Sequence, residues 1–243
     1  MNSERPIILI TNDDGYDSDG IRKLAEIARR FGKVVIVAPV HQQSGKSSAL
    51  TSEHPLKLSL VSKEDGLEVY SCNGTPTDCV KLAFFTLFRE RRPDLLLSGI
   101  NHGSNSSVNA LYSGTIGAAM EGCVNQISSI AFSCVQTSSV LDDNFSSIVG
   151  KMIGETLESP LPSGTMLNVN FPVGEVEGLS FCRQADAKWS EEYVKDADNP
   201  DSYHLSGYFD NREPLSEDTD EWALSHHRVS VVPLRVDFTD YDY

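Results

Sequence analysis

The sequence lacks any segment suited to crossing a membrane. No run of about 18 apolar residues occurs, and Met1-Asn2-Ser3-Glu4-Arg5-Pro6 has no apolar core of a secretory signal peptide. The five cysteines, at positions 72, 79, 123, 134 and 182, are odd in number and form no CxxC pair. We therefore expect free thiols, a cytoplasmic location and no membrane partner.

Basic residues are also scarce. Twenty lysines and arginines against 35 aspartates and glutamates give a net charge of −15. Nucleic-acid affinity comes mainly from a basic footprint that releases counterions, so we expect no nucleic-acid partner. A small phosphorylated ligand remains compatible, because a metal ion and a few backbone N–H groups reverse the potential locally. The simpler interpretation of the acidity is solubility.

Several common catalytic motifs are missing. Gly45-Lys46-Ser47 is similar to the end of a P-loop, but Val40 stands where the first glycine is required. The sequence contains no HExxH or GxSxG motif, and its six histidines have no metal-ligand spacing. His41 and His102 follow strand ends, and we interpret them as bystanders or as groups that support other ligands.

Apolar strands alternate with amphipathic helices through most of the chain. A strand at Pro6–Thr11, a helix at Gly20–Arg30 and a strand at Val34–Pro39 form a βαβ unit, which implies parallel strands. Further helices are predicted from Thr75 to Phe88, Ser113 to Gly122 and Phe145 to Leu157, and further strands at Asp94–Gly99, Ile130–Val135 and Met166–Phe171. The pattern predicts an α/β fold with a Rossmann-like, doubly wound and mainly parallel sheet.

The composition divides the chain into three parts. Residues 1–183 are predicted to form the Rossmann-like catalytic core, residues 184–228 an excursion of hairpins or extended arms, and residues 229–243 a returning strand and tail. The excursion is polar and acidic, and a linker is one interpretation of it. However, it carries six large aromatic residues, which favours a subunit contact or a lid: Trp189, Tyr193, Tyr203, Tyr208, Phe209 and Trp222.

Polar clusters follow three of the predicted strands, at residues 12–15, 43–48 and 98–105. In a doubly wound sheet, ligands bind beyond the carboxyl ends of the strands. Asp13 and Asp14 repel each other there, and a hard divalent cation with oxygen ligands would supply the counter-charge. The alternative is that both acids form an Asx turn and cap the next helix. Oxygen and amide ligands at the next two strand ends favour the cation.

The segment Ser113-Gly114-Thr115-Ile116-Gly117 brings hydroxyls, backbone N–H groups and a helix N-terminus together. This combination suits a phosphate. Serine and threonine are also ordinary N-caps, and glycines allow close helix packing, so the segment alone leaves both interpretations open.

Taken together, these motifs resemble the SurE family, the stationary-phase survival nucleotidases. The resemblance spans about residues 6–236 and rests on segments that occur in the family's order and spacing: Thr11–Gly15, Ala38-Pro39 with Ser44, Gly45 and Ser47, Gly74–Cys79, Ser98–Gly103, Tyr112–Thr115 with Glu121-Gly122, Asn168–Pro172 and Val229–Leu234.

The resemblance implies 5′- and 3′-nucleotidase activity, with cleavage of short polyphosphate in some members. It also implies a homodimer or homotetramer assembled through the C-terminal extension. The implied divalent metal, one cation per subunit, is held by Asp13, Asp14, Ser44 and Asn101, and every ligand is oxygen, so Mg²⁺ or Mn²⁺ is expected. The implied phosphate contacts are Asn105, Ser113, Gly114 and Thr115.

This chain departs from the family pattern at Lys46 and at residues 106–109, where Ser-Ser-Val-Asn replaces the glycine and acidic residues of many relatives. Both departures leave the nucleoside preference open. The metal ligands are unaffected.

The sequence thus predicts metal-assisted hydrolysis of nucleoside monophosphates by water. Asp13 and Asp14 are the catalytic candidates, Asp13 as the base and Asp14 mainly as a ligand. An aspartyl-phosphate on Asp13 is less favoured, because the pair lacks DxD spacing. Two other classes remain, a metal-dependent α/β transferase and a nucleotide-binding module without turnover. Phosphate release from AMP or GMP with added metal separates the three.

Overall fold

The computed structural model describes residues 5–135 and 142–241. The first elements are β1 (Ile7–Thr11), α1 (Asp19–Ala28), β2 (Lys33–Pro39), β3 (Leu58–Glu64), β4 (Leu67–Cys72), α2 (Pro76–Thr86), β5 (Leu95–His102), a 3₁₀ turn (Ser107–Leu111) and α3 (Gly114–Val124). They are followed by β6 (Ser129–Cys134), α4 (Asp143–Glu158), β7 (Thr165–Phe171), β8 (Gly178–Phe181), β9 (Ala187–Ser190), β10 (Tyr193–Lys195), β11 (Tyr203–Leu205), β12 (Tyr208–Asn211), α5 (Asp220–Ser225) and β13 (Arg228–Arg235).

Nine of these strands form one sheet in the order β3-β4-β2-β1-β5-β6-β7-β13-β8. The strands from β4 to β7 are parallel, whereas β3 runs antiparallel to β4 and β13 antiparallel to β7. Strand β1 pairs with β2 on one side and with β5 on the other, so the strand order reverses between β1 and β5. The predicted doubly wound, mainly parallel α/β sheet is confirmed, and its switch point lies at β1 and β5.

Helices cover both faces of the sheet, which explains why the central strands are apolar throughout. In β1, Ile8 and Ile10 join the core under α1 and α4, whereas Leu9 faces the core under α2 and α3. Phe145 of α4 packs on Phe171 of β7 with ring centroids 4.3 Å apart. The alternation of strand side chains therefore builds two cores from one sequence pattern.

Helix boundaries follow the local chemistry. The predicted N-cap at Thr75 is confirmed: its hydroxyl accepts from the Asp78 N–H at 3.1 Å, and the Asp78 carboxylate accepts from the Thr75 N–H at 2.9 Å. Helix α1 approaches β5 closely, since a Cβ on Gly20 would lie 2.3 Å from the Ile100 carbonyl oxygen. This contact brings the start of α1 against the carboxyl end of β5.

The sequence pattern did not predict β3, β4 or β8. Strands β3 and β8 lie at the two edges of the sheet, and most of their residues are partly or fully exposed. An exposed edge strand needs no apolar run, so its sequence resembles a loop.

Residues 184–228 contain two antiparallel pairs, β9 with β12 and β10 with β11, followed by α5. The outer pair exposes Tyr193, Tyr203 and Leu205. In the described ranges, no helix has the length and apolar character needed to span a bilayer.

Candidate functional site

The turn after β1 is built by Asn12. Its side-chain oxygen accepts from the Gly15 N–H at 3.1 Å, and its amide donates to the Gly15 carbonyl at 3.0 Å and to the Ser18 hydroxyl at 2.8 Å. Gly15 has a φ of +114°, which favours glycine. The N-cap of α1, Ser18, has no side-chain capping bond. The alternative to a ligand role was that Asp13 and Asp14 form this turn or cap the helix. Their side chains do neither.

Asp13 is buried, with 4% of its surface exposed. Its Oδ1 accepts from the Thr115 hydroxyl at 2.5 Å, and a Cβ on Gly114 would lie 3.2 Å from the Asp13 Cβ. The first turn of α3 therefore packs directly on this carboxylate. Burial raises the pKa of Asp13 to about 6; the Thr115 hydrogen bond opposes this shift, and the Asp14 charge adds to it.

The loop after β2 and the end of β5 converge on the acidic turn. The carboxylate of Asp14 accepts from the Gln42 side chain at 3.4 Å and from the His102 backbone N–H at 3.3 Å. The Gln43 N–H donates to the Asp13 carbonyl at 2.7 Å. These donors are neutral, and within the described ranges neither aspartate forms an ion pair with lysine or arginine. Two adjacent carboxylates therefore share a site without a protein counter-charge.

Asn101 lies at the end of β5, and its side-chain N–H donates to the Gly103 carbonyl at 2.9 Å. Its amide oxygen accepts no hydrogen bond from the described residues. The structure thus brings Asp13, Asp14 and Asn101 to one edge of the sheet.

Ser44 is exposed on the loop after β2. That loop rests on the start of α3. The Ser47 N–H donates to the Tyr112 carbonyl at 3.0 Å, and a Cβ on Gly117 would lie 2.4 Å from the Ser47 carbonyl oxygen. The loop that carries Ser44 is therefore held against the same helix end that contacts Asp13.

The phosphate candidates have different surroundings. Ser113 caps α3 and accepts from the Ile116 N–H at 3.2 Å, so its hydroxyl hydrogen is available. The first backbone bond of the helix is from Gly117 to Ser113, which leaves the N–H groups of Gly114 and Thr115 without intrahelical partners. The Thr115 hydroxyl, in contrast, donates its hydrogen bond to Asp13.

Asn105 is turned towards the interior. Its side-chain N–H donates to the Ser133 hydroxyl at 2.8 Å, and its backbone N–H donates to the Asn170 side chain at 2.7 Å. The Asn168 side chain donates to the Asn105 carbonyl at 2.9 Å. In this arrangement Asn105 anchors its loop to β6 and β7, and one of its two side-chain N–H groups is engaged.

Sequence reasoning gave no role to Asn12, Gln43, Asn168 or Asn170. A signal existed for the last two, because amides at alternate positions of an otherwise apolar strand imply a buried polar network. Within the described ranges, no group of three or more histidine, cysteine or acidic side chains is arranged to hold a metal. A cation here would depend on two carboxylates with hydroxyl and amide oxygens, a donor set that suits a hard ion.

The fold and these strand-end oxygens define a doubly wound α/β protein with an acidic ligand-binding edge. The family profile described as "Survival protein SurE" matches residues 8–191. The chain belongs to the SurE family.

Similar proteins cover its full length. The 5′-nucleotidase SurE of Phocaeicola vulgatus is 44% identical over 247 residues, covering 99% of this chain and 95% of that protein. The 5′-nucleotidase SurE of Flavobacterium johnsoniae is 45% identical over 246 residues, covering 98% and 94%. The crystal structure of the SurE protein from Aquifex aeolicus superposes with a TM-score of 0.83 at 35% identity, covering 98% of this chain and 96% of that chain.

The buried state of Asp13 predicts a pH-dependent stability difference. The pKa of Asp13 rises from 3.8 to about 6 on folding, so the folded protein holds this proton more tightly than the unfolded chain does. The contribution of the protonated carboxyl to the free energy of unfolding is therefore fully present below pH 3.8 and is lost as pH rises through about 6. In metal-free protein at about pH 8, Asp13→Asn should therefore raise the free energy of unfolding by up to about 3 kcal/mol. Near pH 3.5, roughly below the unfolded pKa, the variant and the parent should coincide.

Urea unfolding in EDTA at both pH values measures this difference. Asp17→Asn, at an exposed acid of the same loop, is the control and should show no such gain. If Asp13→Asn is no more stable than the parent at the higher pH, the Asp13 carboxylate is not held at a raised pKa.

Proposed function

We infer that this chain is a 5′-nucleotidase, which hydrolyses the phosphomonoester of nucleoside monophosphates. The observation that carries this inference is the contact between buried Asp13 and the first turn of α3. It sets a carboxylate beside the N–H groups of Gly114 and Thr115, which suit a phosphate anion. Membership of a family whose similar members are named 5′-nucleotidases supports the same reaction. 3′-Nucleotides and short polyphosphate are proposed as further substrates.

We propose one divalent cation per subunit, Mg²⁺ or Mn²⁺, held by Asp13, Asp14, Ser44 and Asn101. The support is the adjacent pair of carboxylates with neutral donors only, together with the amide oxygen of Asn101. When bound, such a cation neutralises charge on the phosphate and lowers the pKa of a water molecule.

The residues of the chain have separate roles in this proposal. Asp13 accepts a proton from the attacking water, and Thr115 fixes the carboxylate by occupying Oδ1. Asp14 acts mainly as a ligand. The N–H groups of Gly114 and Thr115 and the Ser113 hydroxyl bind the non-bridging phosphate oxygens, where charge is held during in-line attack. Asn105 is also proposed to contact the phosphate, through the side-chain N–H that does not bond Ser133.

Removal of the metal should abolish activity. Protein treated with EDTA and desalted is expected to release no phosphate from AMP or GMP, because the two carboxylates would then repel the anionic substrate. Added Mg²⁺ or Mn²⁺ should restore turnover with water as the only acceptor, which excludes a transferase and a non-catalytic binding module. Full turnover by metal-stripped protein would sink the metal assignment.

Asp13→Asn should lower kcat by roughly a hundredfold or more, equivalent to about 2.7 kcal/mol of transition-state stabilisation. The amide keeps an oxygen for Thr115 but loses the charge and the basicity. Steady-state kinetics on GMP measure the loss, circular dichroism checks the fold, and Asp17→Asn is the matched control. Near-normal turnover by the variant would show that Asp13 is not the base.

We also propose that residues 184–228 form a subunit contact in a homodimer or homotetramer, with a lid over the site as the alternative. The support is the outer hairpin, formed by β10 and β11, in which Tyr193 is 67% exposed and Tyr203 is 60% exposed. Exposed rings on a projecting hairpin suit burial against another protein surface.

Shortening this hairpin should reduce the oligomer. Deletion of residues 185–225 removes the whole excursion, but it also removes Asp220, a buried acid that accepts from the Ser107 and Ala185 N–H groups. A smaller deletion avoids this loss: residues 192–206 are replaced with an Asn-Gly turn, which keeps β9 paired with β12. Sedimentation should show a smaller species than the parent. If both sediment alike, the hairpin is no assembly element, and a lid is the better account.

A further inference from the structure

A cleft of about 370 Å³ lies between the loop after β5 and the β9–β12 hairpin. The mechanism above uses none of its side chains. Its lining includes Ser104, Ser106, Asn109, Trp189, Phe209 and Glu221. The volume is within the range of small-molecule sites.

The cleft opens at the same edge of the sheet as the phosphate site. Ser104 follows His102 by two residues, so their Cα atoms lie within about 7 Å, and the His102 N–H bonds Asp14. Val135, which also lines the cleft, directly follows β6, the neighbour of β5. Adjacent strands are about 4.8 Å apart. The cleft is therefore one to two strands from the acidic turn, a separation that a mononucleotide spans between its phosphate and its base.

Two aromatic rings form one wall. Trp189 and Phe209 are paired residues of β9 and β12, and their rings meet edge to face with centroids 5.8 Å apart. The Trp189 Nε1–H donates to the Asn109 Oδ1 at 2.8 Å, which fixes the indole against the 3₁₀ turn. Despite these contacts, 37% of Trp189 remains exposed. A fixed, partly exposed indole offers a stacking surface to a planar base.

The polar groups in the cleft have a defined donor and acceptor pattern. Glu221 uses Oε1 to accept from the Ser106 hydroxyl, and its Oε2 bonds no described residue. Asn109 uses its side-chain oxygen for Trp189, which leaves its N–H groups to donate. A carboxylate acceptor and an amide donor in one cleft complement guanine, whose pairing edge carries two N–H donors and one carbonyl oxygen. Adenine presents a ring nitrogen acceptor where guanine presents an N–H.

We propose that this cleft is the nucleobase subsite of the enzyme and that it favours guanine, with Trp189 stacking on the base and Glu221 accepting from its N–H groups. The proposal rests on the 5′-nucleotidase function inferred above. It makes the 3₁₀ turn and the hairpin the specificity elements, while Asp13 and α3 perform the chemistry.

The first test compares kcat/KM for GMP, AMP and ribose 5-phosphate, which carries the sugar and the phosphate but no base. The parent should prefer GMP to AMP by roughly tenfold or more. Trp189→Ala should lower kcat/KM for GMP by roughly tenfold, mainly through KM, since base stacking contributes on this order. Its kcat/KM for ribose 5-phosphate should stay within about twofold, because that substrate has no base to stack.

Tyr208→Ala is the matched control. Tyr208 is an exposed ring next to Phe209 in β12, and side chains of neighbouring strand residues point to opposite faces. It does not line the cleft, so all three kcat/KM values should be unchanged. The proposal is overturned if the parent has no preference between GMP and AMP, or if Trp189→Ala changes kcat/KM for GMP and for ribose 5-phosphate by the same factor.

Glu221→Gln tests the polar contact and replaces the first test if Trp189→Ala does not fold. It should bring the GMP to AMP ratio near one by weakening GMP, with ribose 5-phosphate unchanged. An unaltered ratio refutes the role of Glu221.

Calorimetric titration with guanosine separates the subsite from the reaction. If the parent hydrolyses no nucleotide but binds guanosine, and Glu221→Gln weakens that binding about tenfold, as loss of a charged acceptor predicts, the 5′-nucleotidase inference fails and the subsite stands. If the parent hydrolyses nucleotides but guanosine does not bind, the subsite fails and the nucleotidase stands.

Discussion

The contact between Asp13 and the first turn of α3 is the constraint on which the site depends. A carboxylate with 4% exposure is normally unfavourable, and its raised pKa records that penalty. Gly114 permits the approach because any Cβ would crowd the Asp13 side chain, and Thr115 supplies the one side-chain donor. The same turn leaves two backbone N–H groups open to an anion. One packing contact therefore underlies both the cation site and the phosphate site that we propose.

The loop between β5 and α3 is hydrogen-bonded to the C-terminal part of the chain. On one side, Asn105 is held by Asn168 and Asn170 in β7. On the other, buried Asp220 accepts from the backbone N–H groups of Ser107 and Ala185. Backbone amides bonded to buried side chains are costly to release. The residues between the acidic turn and the hairpin are thus fixed from two directions, and the hairpin has a defined position relative to the strand ends.

The sequence was informative where a residue's environment follows from local pattern. Apolar runs predicted the central strands, and their ends located Asp13, Asp14 and Asn101, because parallel strands place their carboxyl ends together. It was less informative where the partner is distant in sequence. It does not predict that the Thr115 hydroxyl donates to Asp13, 102 residues away. It likewise does not predict that a side-chain N–H of Asn105 donates to Ser133 of β6. Both contacts depend on how α3 and the loop after β5 pack on the sheet, which local side-chain chemistry does not encode.

This division also explains how the enzyme chemistry and the choice of substrate can vary separately. The acidic turn and α3 belong to the packed sheet core, where a small change in volume disturbs many contacts. Ser106 and Ser107 are buried as well, whereas Val108 and Asn109 are partly exposed, and Asn109 meets the hairpin through its bond from Trp189. Asn109 lines the cleft and forms no hydrogen bond to Asp13 or Asp14, so its substitution alters the cleft wall and leaves the acidic turn in place. With the base subsite and the role of Asp13 that we propose, a departure from the family pattern at residues 106–109 changes which base is accepted, whereas the hydrolysis of the phosphate stays dependent on Asp13.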